Sequence, residues 1–159
     1  MHLLIALDNS PLNERIVGFL KKFLSQLSNP PTFSFIHVID SSIIGPVPCY
    51  ADVAMNYDES GISIEDEDEL IRQLRRDSTK MIEGIQKQLG VTGTVDFPID
   101  DPCEALAQEC QKKKPDLLVI GTHSRKGINH FLFGNFAEKV GRHINVPLIV
   151  IPEKGNANN

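Results

Sequence analysis

Residues 116–138 read DLLVIGTHSRKGINHFLFGNFAE, and this stretch decides the predicted fold. Its apolar run Leu117–Ile120 predicts a short strand that is covered on both faces. Asn135 followed by Glu138 is typical of a helix start and predicts a helix over Asn135–His143. A buried strand that leads through a glycine-containing loop into a helix is the repeating unit of α/β folds.

The same alternation extends toward both ends of the chain. Two more apolar runs, Leu3–Leu7 and Leu148–Ile151, are typical of strands buried on both faces, and Pro98 indicates a strand at the edge of the sheet. The predicted strands cover residues 3–7, 33–39, 94–99, 117–120 and 147–151. Helical spacing of apolar residues predicts three further helices, whose boundary residues are Ser10-Pro11, Gly90 and Asp101-Pro102. Five strands alternating with four helices predict one α/β domain with a parallel sheet and right-handed crossovers.

The formal net charge of the 159 residues is −5, and the acidity is confined to one segment. Residues 41–69 contain eight acidic side chains and no basic one, and no Lys or Arg occurs between Lys22 and Arg72. We predict that this segment is an acidic flexible loop that acts as a mobile flap or as a partner surface. A net-acidic chain lacks the basic footprint of a nucleic-acid-binding protein, so no nucleic-acid partner is expected.

Cysteine usage and the N-terminal sequence predict a cytoplasmic protein. The three cysteines show no Cys-x-x-Cys pattern, and Cys103 and Cys110 fall on one helical face, which favours plain core packing. The N-terminus has no basic region before its short apolar run, so no signal peptide is expected. No apolar run approaches the roughly 18 residues that a membrane span needs.

The loop after Ile120 carries the residues with the clearest chemical potential. Gly121 allows the backbone to approach a ligand closely, and Gly134 directly before a helix leaves backbone N–H groups available to an anion. Arg125, Lys126 and His130 add positive charge between the two glycines. The pattern fits a phosphate-binding loop, and it fits equally a glycine-punctuated connection between strand and helix. Neither the dinucleotide-binding glycine fingerprint nor the P-loop pattern occurs in the chain.

Taken in order, several short segments resemble the universal stress protein family over nearly the whole chain. These segments are LIALDNS at 4–10, HVID at 37–40, DP at 101–102, DLLVIGTH at 116–123, Gly134, and VPLIVI at 146–151. The resemblance implies one domain over residues 1–152 and a disordered tail over 153–159. It also implies a Rossmann-like sheet of order 3-2-1-4-5 with two helices on each face, similar to adenine nucleotide alpha hydrolases.

The ATP-binding branch of that family has a signature of Gly, two residues, Gly, nine residues, Gly, then Ser or Thr. Gly121 and Gly134 match its first and third glycines at the correct spacing. Ser124 replaces the second glycine, and Asn135 replaces the final Ser or Thr. Ser124 keeps its N–H and adds a hydroxyl, and the Asn135 amide can still donate a hydrogen bond.

The resemblance implies a binding site for ATP, or for AMP or ADP, with Mg²⁺ entering alongside the phosphates. Ala6 and Asp8 would lie near the base and ribose, and Val38 would offer a backbone group and an apolar side to adenine. The pocket floor would be Ile120 and Gly121, and the residues around the phosphates would be Ser124, Arg125, Gly134, Asn135 and Phe136. Asp8 also fits a plain turn, and Phe136 also fits a core position. His123 and His130 lack a third ligand at metal spacing, so no metal site is expected.

Two functions follow from this sequence. The first is a regulatory, nucleotide-dependent switch or stress-response module, and the alternative is the same fold acting only through protein contacts without nucleotide. No nucleophile–base pair is evident near the loop, so the chain is not expected to be an enzyme beyond slow ATP turnover. A phospho-acceptor receiver domain is disfavoured because Asp8 stands alone after the first strand. The apolar last strand, 147–151, predicts a homodimer through an exposed sheet edge, beside a protein partner of unknown identity.

Overall fold

The strands of the computed structural model form a five-stranded parallel sheet and a separate two-stranded sheet. The structure describes residues 1–44, 64–122 and 135–153, with residues 43–44, 64–68 and 135 described by their backbone alone. The elements, in chain order, are β1 His2–Ala6, α1 Leu12–Leu24, β2 Thr32–Ile36, β3 Ile39–Asp40, α2 Ser41–Ile44, α3 Ile64–Leu89, β4 Gly93–Asp96, β5 Ile99–Asp100, α4 Pro102–Lys113, β6 Leu117–Thr122, α5 Asn135–His143 and β7 Leu148–Pro152.

The larger sheet has the order β4-β2-β1-β6-β7, and every neighbouring pair is parallel. Counting only these five strands, this is the predicted order 3-2-1-4-5, with β4 at one edge as Pro98 indicated. Strand β1 lies at the centre, and its residues Leu3 and Ile5 pair with both β2 and β6. The predicted class and sheet order are therefore confirmed.

Two helices cover each face of the sheet. Alternate residues of β1 point to opposite faces, so Leu3 and Ile5 join a cluster with α1 and α3, whereas Leu4 joins a cluster with α4 and α5. Leu3, Leu4 and Ile5 are all 0% exposed. Full burial of one such side chain contributes roughly 1.5–3 kcal/mol, so β1 is held firmly from both faces.

Two predicted strands are each broken by a bend, which corrects the predicted bounds 33–39 and 94–99. Strand β2 ends at Ile36 and strand β4 ends at Asp96, and the chain resumes as the short pair β3 and β5. Pro98 has no N–H for a ladder hydrogen bond, which explains the break on its own strand. The two segments of the chain remain hydrogen-bonded to each other across the bend, because His37 N donates to Asp96 O at 3.1 Å and Ile39 N donates to Pro98 O at 2.9 Å.

Helix starts follow the predicted local chemistry, with one shift. Asp101 caps α4, because its carboxylate accepts from Cys103 N at 2.9 Å and from Glu104 N at 3.2 Å. Helix α1 begins at Leu12 rather than at Pro11, and its first N–H donates to Ser10 Oγ at 3.3 Å.

The predicted acidic loop over 41–69 is shorter than expected at both described ends. Residues 41–44 form the short helix α2, and residues 64–69 belong to α3. Residues 45–63 of this segment lie outside the described residues, as do residues 154–159 of the predicted tail. In α3, Glu69 forms ion pairs with Arg72 at 3.1 Å and Arg76 at 2.6 Å, and their hydrogen bonds lower the pKa of Glu69.

A buried cation ties α4 to the edge strand β4. Lys113 Nζ lies 2.9 Å from Asp96 Oδ2 and 3.6 Å from Glu109 Oε2, and the three side chains are mostly buried. Burial alone would lower the pKa of Lys113, but the hydrogen bonds and charges of Asp96 and Glu109 together raise it above its ordinary value of 10.5. The ammonium group is thus charged at neutral pH and compensates two carboxylates beneath α4.

We predict that Lys113→Ala destabilises the fold by about 2–3 kcal/mol, because it leaves the half-buried Asp96 carboxylate without its counter-charge and removes one of the two cations at Glu109. Lys112→Ala is the matched control: Lys112 contacts Glu109 at 3.3 Å but is 69% exposed, so its loss should cost at most about 1 kcal/mol. Urea denaturation at pH 7 measures the free energy of unfolding of both variants. Since folding raises the Lys113 pKa, its contribution is complete below pH 10.5 and is lost as pH rises through the raised value. Equal losses in the two variants would contradict the prediction.

Candidate functional site

Three strands of the sheet end side by side, and the loops that follow them leave from one edge. Strand β1 lies between β2 and β6, with Ala6 paired to Ile36 on one side and Ile5 paired to Val119 on the other. In parallel α/β sheets, ligands bind beyond this carboxyl edge, where the crossovers diverge to opposite faces. The segments after β1, β2 and β6 therefore form the candidate site.

The turn after β1 is tightly hydrogen-bonded. Asp8 Oδ1 accepts from Ser10 N at 3.1 Å and from Ser10 Oγ at 2.5 Å, and Asn13 Nδ2 donates to the backbone oxygen of Asp8. On the β2 side, His37 Nδ1 donates to the carbonyl oxygen of Leu7 at 3.0 Å. The turn role that the sequence allowed for Asp8 is present in the structure, and its ligand role stays a prediction.

Four predicted apolar site residues come together on one face of the sheet. Ala6, Val38 and Phe136 are half-buried, and all three pack against the cluster beneath α4 and α5. Ile120 belongs to the interior of that cluster and is 1% exposed. The whole of Ile120 is thus covered, and its predicted role in the pocket floor stays a prediction, whereas the other three residues are partly exposed.

Gly121 has a packing role that the sequence did not reveal. A Cβ atom at this position would lie 2.4 Å from Leu12 Cδ2 and 2.7 Å from Leu12 Cγ, so any side chain here would require Leu12 to shift. The absence of a side chain on β6 thus lets the start of α1 seat against the sheet. The glycine was predicted for close approach to a ligand, but the approach that the structure shows is that of a helix.

Several predicted phosphate residues lie outside the described residues. These are Ser124, Arg125 and Gly134, together with Lys126, His123 and His130. Asn135 is the first residue of α5, in agreement with the predicted helix bounds, and its side chain is not described. The N-terminus of a helix favours negative charge, and α5 begins at the carboxyl edge because it precedes a parallel strand.

Asn13 and His37 were missed by the sequence interpretation, yet both anchor the Asp8 turn. Asn13 is 8% exposed and His37 is 9% exposed, so each is a polar group held among apolar neighbours. A buried polar side chain normally has a hydrogen-bond partner to satisfy. The signal in the sequence is a polar residue on the apolar face of the first helix and a histidine that ends an apolar strand.

The cysteines behave as core residues. Cys103 and Cys110 are 5% and 4% exposed, and neither forms a disulfide. Burial raises the pKa of Cys103 and raises that of Cys110 to about 11, so both remain thiols at neutral pH. A protonated, buried thiol is a poor nucleophile, which agrees with the predicted packing role. Cys49 lies outside the described residues.

Within the described ranges, neither a metal-ligand cluster nor a membrane-spanning helix is found. No group of three His, Cys, Asp or Glu side chains there could hold a metal ion. None of the helices described combines the length and apolar character that crossing a bilayer requires.

A sequence profile of the universal stress protein family matches residues 1–152. The chain belongs to the universal stress protein family. Universal stress protein MJ0531 of Methanocaldococcus jannaschii is 26% identical over 83 residues, which cover 52% of this chain and 49% of the relative. In this match the chain spans about half the length of the curated relative.

Solved structures of universal stress proteins share the fold over nearly the full length. Protein MJ0577 superposes with a TM-score of 0.73, at 22% identity, over 98% of this chain and 97% of that one. The universal stress protein of Archaeoglobus fulgidus in complex with dAMP has a TM-score of 0.57 at 18% identity, over 95% of this chain and 97% of that one. A universal stress protein in complex with cAMP has a TM-score of 0.55 at 16% identity, over 97% of this chain and 98% of that one. At these identities the likeness shows the fold, and it confirms the predicted family architecture.

We predict that Gly121→Ala destabilises this universal stress protein by about 1–3 kcal/mol, because the new methyl group overlaps Leu12. Gly18→Ala is the matched control: Gly18 lies on the exposed side of α1 with open space around it, so alanine there should stabilise by up to about 1 kcal/mol. Thermal unfolding of both variants, and of Gly121→Ala combined with Leu12→Ala, measures the effect. The prediction fails if Gly121→Ala is as stable as the wild type, or if adding Leu12→Ala to Gly121→Ala recovers none of the lost stability.

Proposed function

We propose that the protein is a regulatory module that binds ATP or another adenine nucleotide at the carboxyl edge of the sheet. The observation that supports the proposal is that half-buried Ala6, Val38 and Phe136 pack against the same apolar cluster, and that Ala6 ends the strand that leads into the Asp8 turn. Apolar surface next to a few fixed polar groups is the usual composition of a small-molecule site. The complexes of related structures with dAMP and cAMP support an adenine nucleotide as the ligand.

Each predicted site residue has a proposed part in this site. Adenine packs against Ala6 and Val38, ribose lies near Asp8, and the backbone of Ile120 and Gly121 forms the floor. The residues proposed to surround the phosphates are Ser124, Arg125, Gly134, Asn135 and Phe136. Mg²⁺ would enter with the phosphates, and the protein supplies no cation cage of its own in this proposal.

The proposed role is a switch in a stress response rather than an enzyme. Occupancy of the site would change the shape of the protein or its partners, with the acidic residues of 41–69 as a partner surface. Both described cysteines are protonated and buried, and Asp8 is committed to a turn with Ser10. Turnover of ATP would be slow, because no described residue is arranged to activate an attacking water. The cysteine pattern supports a reducing, cytoplasmic location.

A second candidate function is the same fold acting only through protein contacts. One observation favours it: Ser124 and Asn135 depart from the signature of the ATP-binding branch. Gly121 packs closely against Leu12, a contact that needs no ligand. The presence of that glycine does not discriminate between the two functions.

We further propose a homodimer through β7. This strand is the last of the sheet, and Leu148, Ile149 and Val150 are only half-buried in one chain. An apolar strand with one unpaired edge favours pairing with another strand, and a two-fold axis would use the same patch on both subunits.

We predict micromolar binding of ATP·Mg, measured by isothermal titration calorimetry, and a loss of at least about tenfold in Gly134→Asp. The substituted carboxylate would repel phosphates at the start of α5. Gly84→Asp is the matched control. Gly84 is exposed on α3 with no atom within 4 Å of an added Cβ, so the affinity of this variant for ATP·Mg should equal that of the wild type. Absence of both co-purified nucleotide and thermal shift at millimolar ATP in the wild type would overturn the nucleotide function and favour the protein-contact alternative.

We predict that sedimentation at micromolar concentration gives twice the mass of one chain and that Val150→Lys shifts the protein to monomer. A charge on the half-buried edge would be desolvated in the dimer. Val95→Lys is the matched control, since Val95 is also a half-buried valine but lies on β4 at the opposite edge. A monomeric wild type, or equal dissociation in both variants, would contradict the interface.

A further inference from the structure

Asn13 is a buried polar residue at the junction of three elements. It lies in the first turn of α1, and its Nδ2 donates to the backbone oxygen of Asp8. The same Nδ2 lies 3.3 Å from Met81 Sδ of α3. Asn13 therefore connects the turn after β1 to both helices on one face of the sheet.

A polar side chain at position 13 lowers the stability of the fold, because one of its polar atoms has no partner in the described ranges. Asn13 Oδ1 is buried and makes no hydrogen bond within the described part of the chain, and Ser78 Oγ of α3, at 0% exposure, has none either. An unsatisfied buried acceptor destabilises a fold, and an apolar side chain would avoid that cost. The contact that an apolar side chain could not make is the hydrogen bond to Asp8.

Among the described residues, three tethers hold the Asp8 turn from different directions. His37 Nδ1 donates to Leu7 O, and Ser10 donates to the Asp8 carboxylate through its N–H and hydroxyl groups. Asn13 holds the backbone oxygen of Asp8 from the helical side. Of the three, the Asn13 tether is the one that also contacts α3, through Met81.

We propose that Asn13 is a positioning residue that orients Asp8 at the candidate site. Fixing the carbonyl group of Asp8 sets the backbone angles of the turn and thereby the direction of the Asp8 carboxylate. A ligand-contacting group that is held in place before binding loses less conformational freedom on binding. The part of this inference that concerns the ligand rests on the proposed nucleotide function.

The first test uses the protein without nucleotide. In Asn13→Ala, amide hydrogen exchange at Ser10, whose N–H donates to Asp8 Oδ1, should rise about tenfold, as expected for the loss of one hydrogen bond. Asn13→Leu keeps the branched arrangement of four side-chain heavy atoms and lacks the donor, so it should show the same increase if the alanine variant does not fold. Ser78→Ala is the matched control, because Ser78 is equally buried on α3 and has no bond to the turn. Exchange equal to the wild type in a folded Asn13 variant would overturn the proposal.

The second test compares ATP with 2′,3′-dideoxy-ATP, which lacks the ribose hydroxyl groups near Asp8 in the proposed site. Asn13→Ala should weaken ATP binding about tenfold and leave dideoxy-ATP binding unchanged, whereas Ser78→Ala should change neither. Equal weakening for both ligands indicates a merely structural role and overturns the positioning role. A wild type that binds neither ligand overturns the proposed nucleotide function, and the exchange measurement then decides the role of Asn13 by itself.

Discussion

The double burial of β1 is the constraint on which the other elements depend. Leu3, Leu4 and Ile5 are completely buried, and the strand pairs in parallel on both edges. Parallel pairing requires that each connection return through a crossover, and because right-handed crossovers run from β1 toward both edges of this sheet, helices cover both faces. As a consequence the ends of β1, β2 and β6 lie side by side at one edge of the sheet.

The candidate site begins where the buried apolar strand β1 ends and a hydrogen-bonded polar turn follows. Within two residues the chain passes from Leu7, which is 5% exposed, to the hydrogen-bonded turn at Asp8. Backbone groups at such a boundary need partners, and here His37, Ser10 and Asn13 supply them. The same requirement that satisfies the backbone also holds the turn rigidly, and rigidity of this kind is useful to a binding site.

Local patterns in the sequence were sufficient for most of the fold. The Asp101-Pro102 start of α4, the Asn135–His143 bounds of α5 and the edge position signalled by Pro98 were predicted, because caps and proline act through their immediate neighbours. The division of the second and third predicted strands was missed. It arises from a bend in which His37 N donates to Asp96 O and Ile39 N donates to Pro98 O, pairs that are 59 residues apart in sequence.

The sequence by itself determined the α/β class, the positions of the main strands and most helix starts, because apolar periodicity and turn chemistry are written locally, and its resemblance to the family supplied the order of the strands. Only the tertiary structure decided that Gly121 makes room for Leu12, that Asn13 and His37 hold the Asp8 turn, and that Lys113 compensates Asp96 and Glu109. Each of these depends on a contact between residues that are distant in sequence. Such contacts are set by how the helices pack on the sheet, which no local pattern encodes.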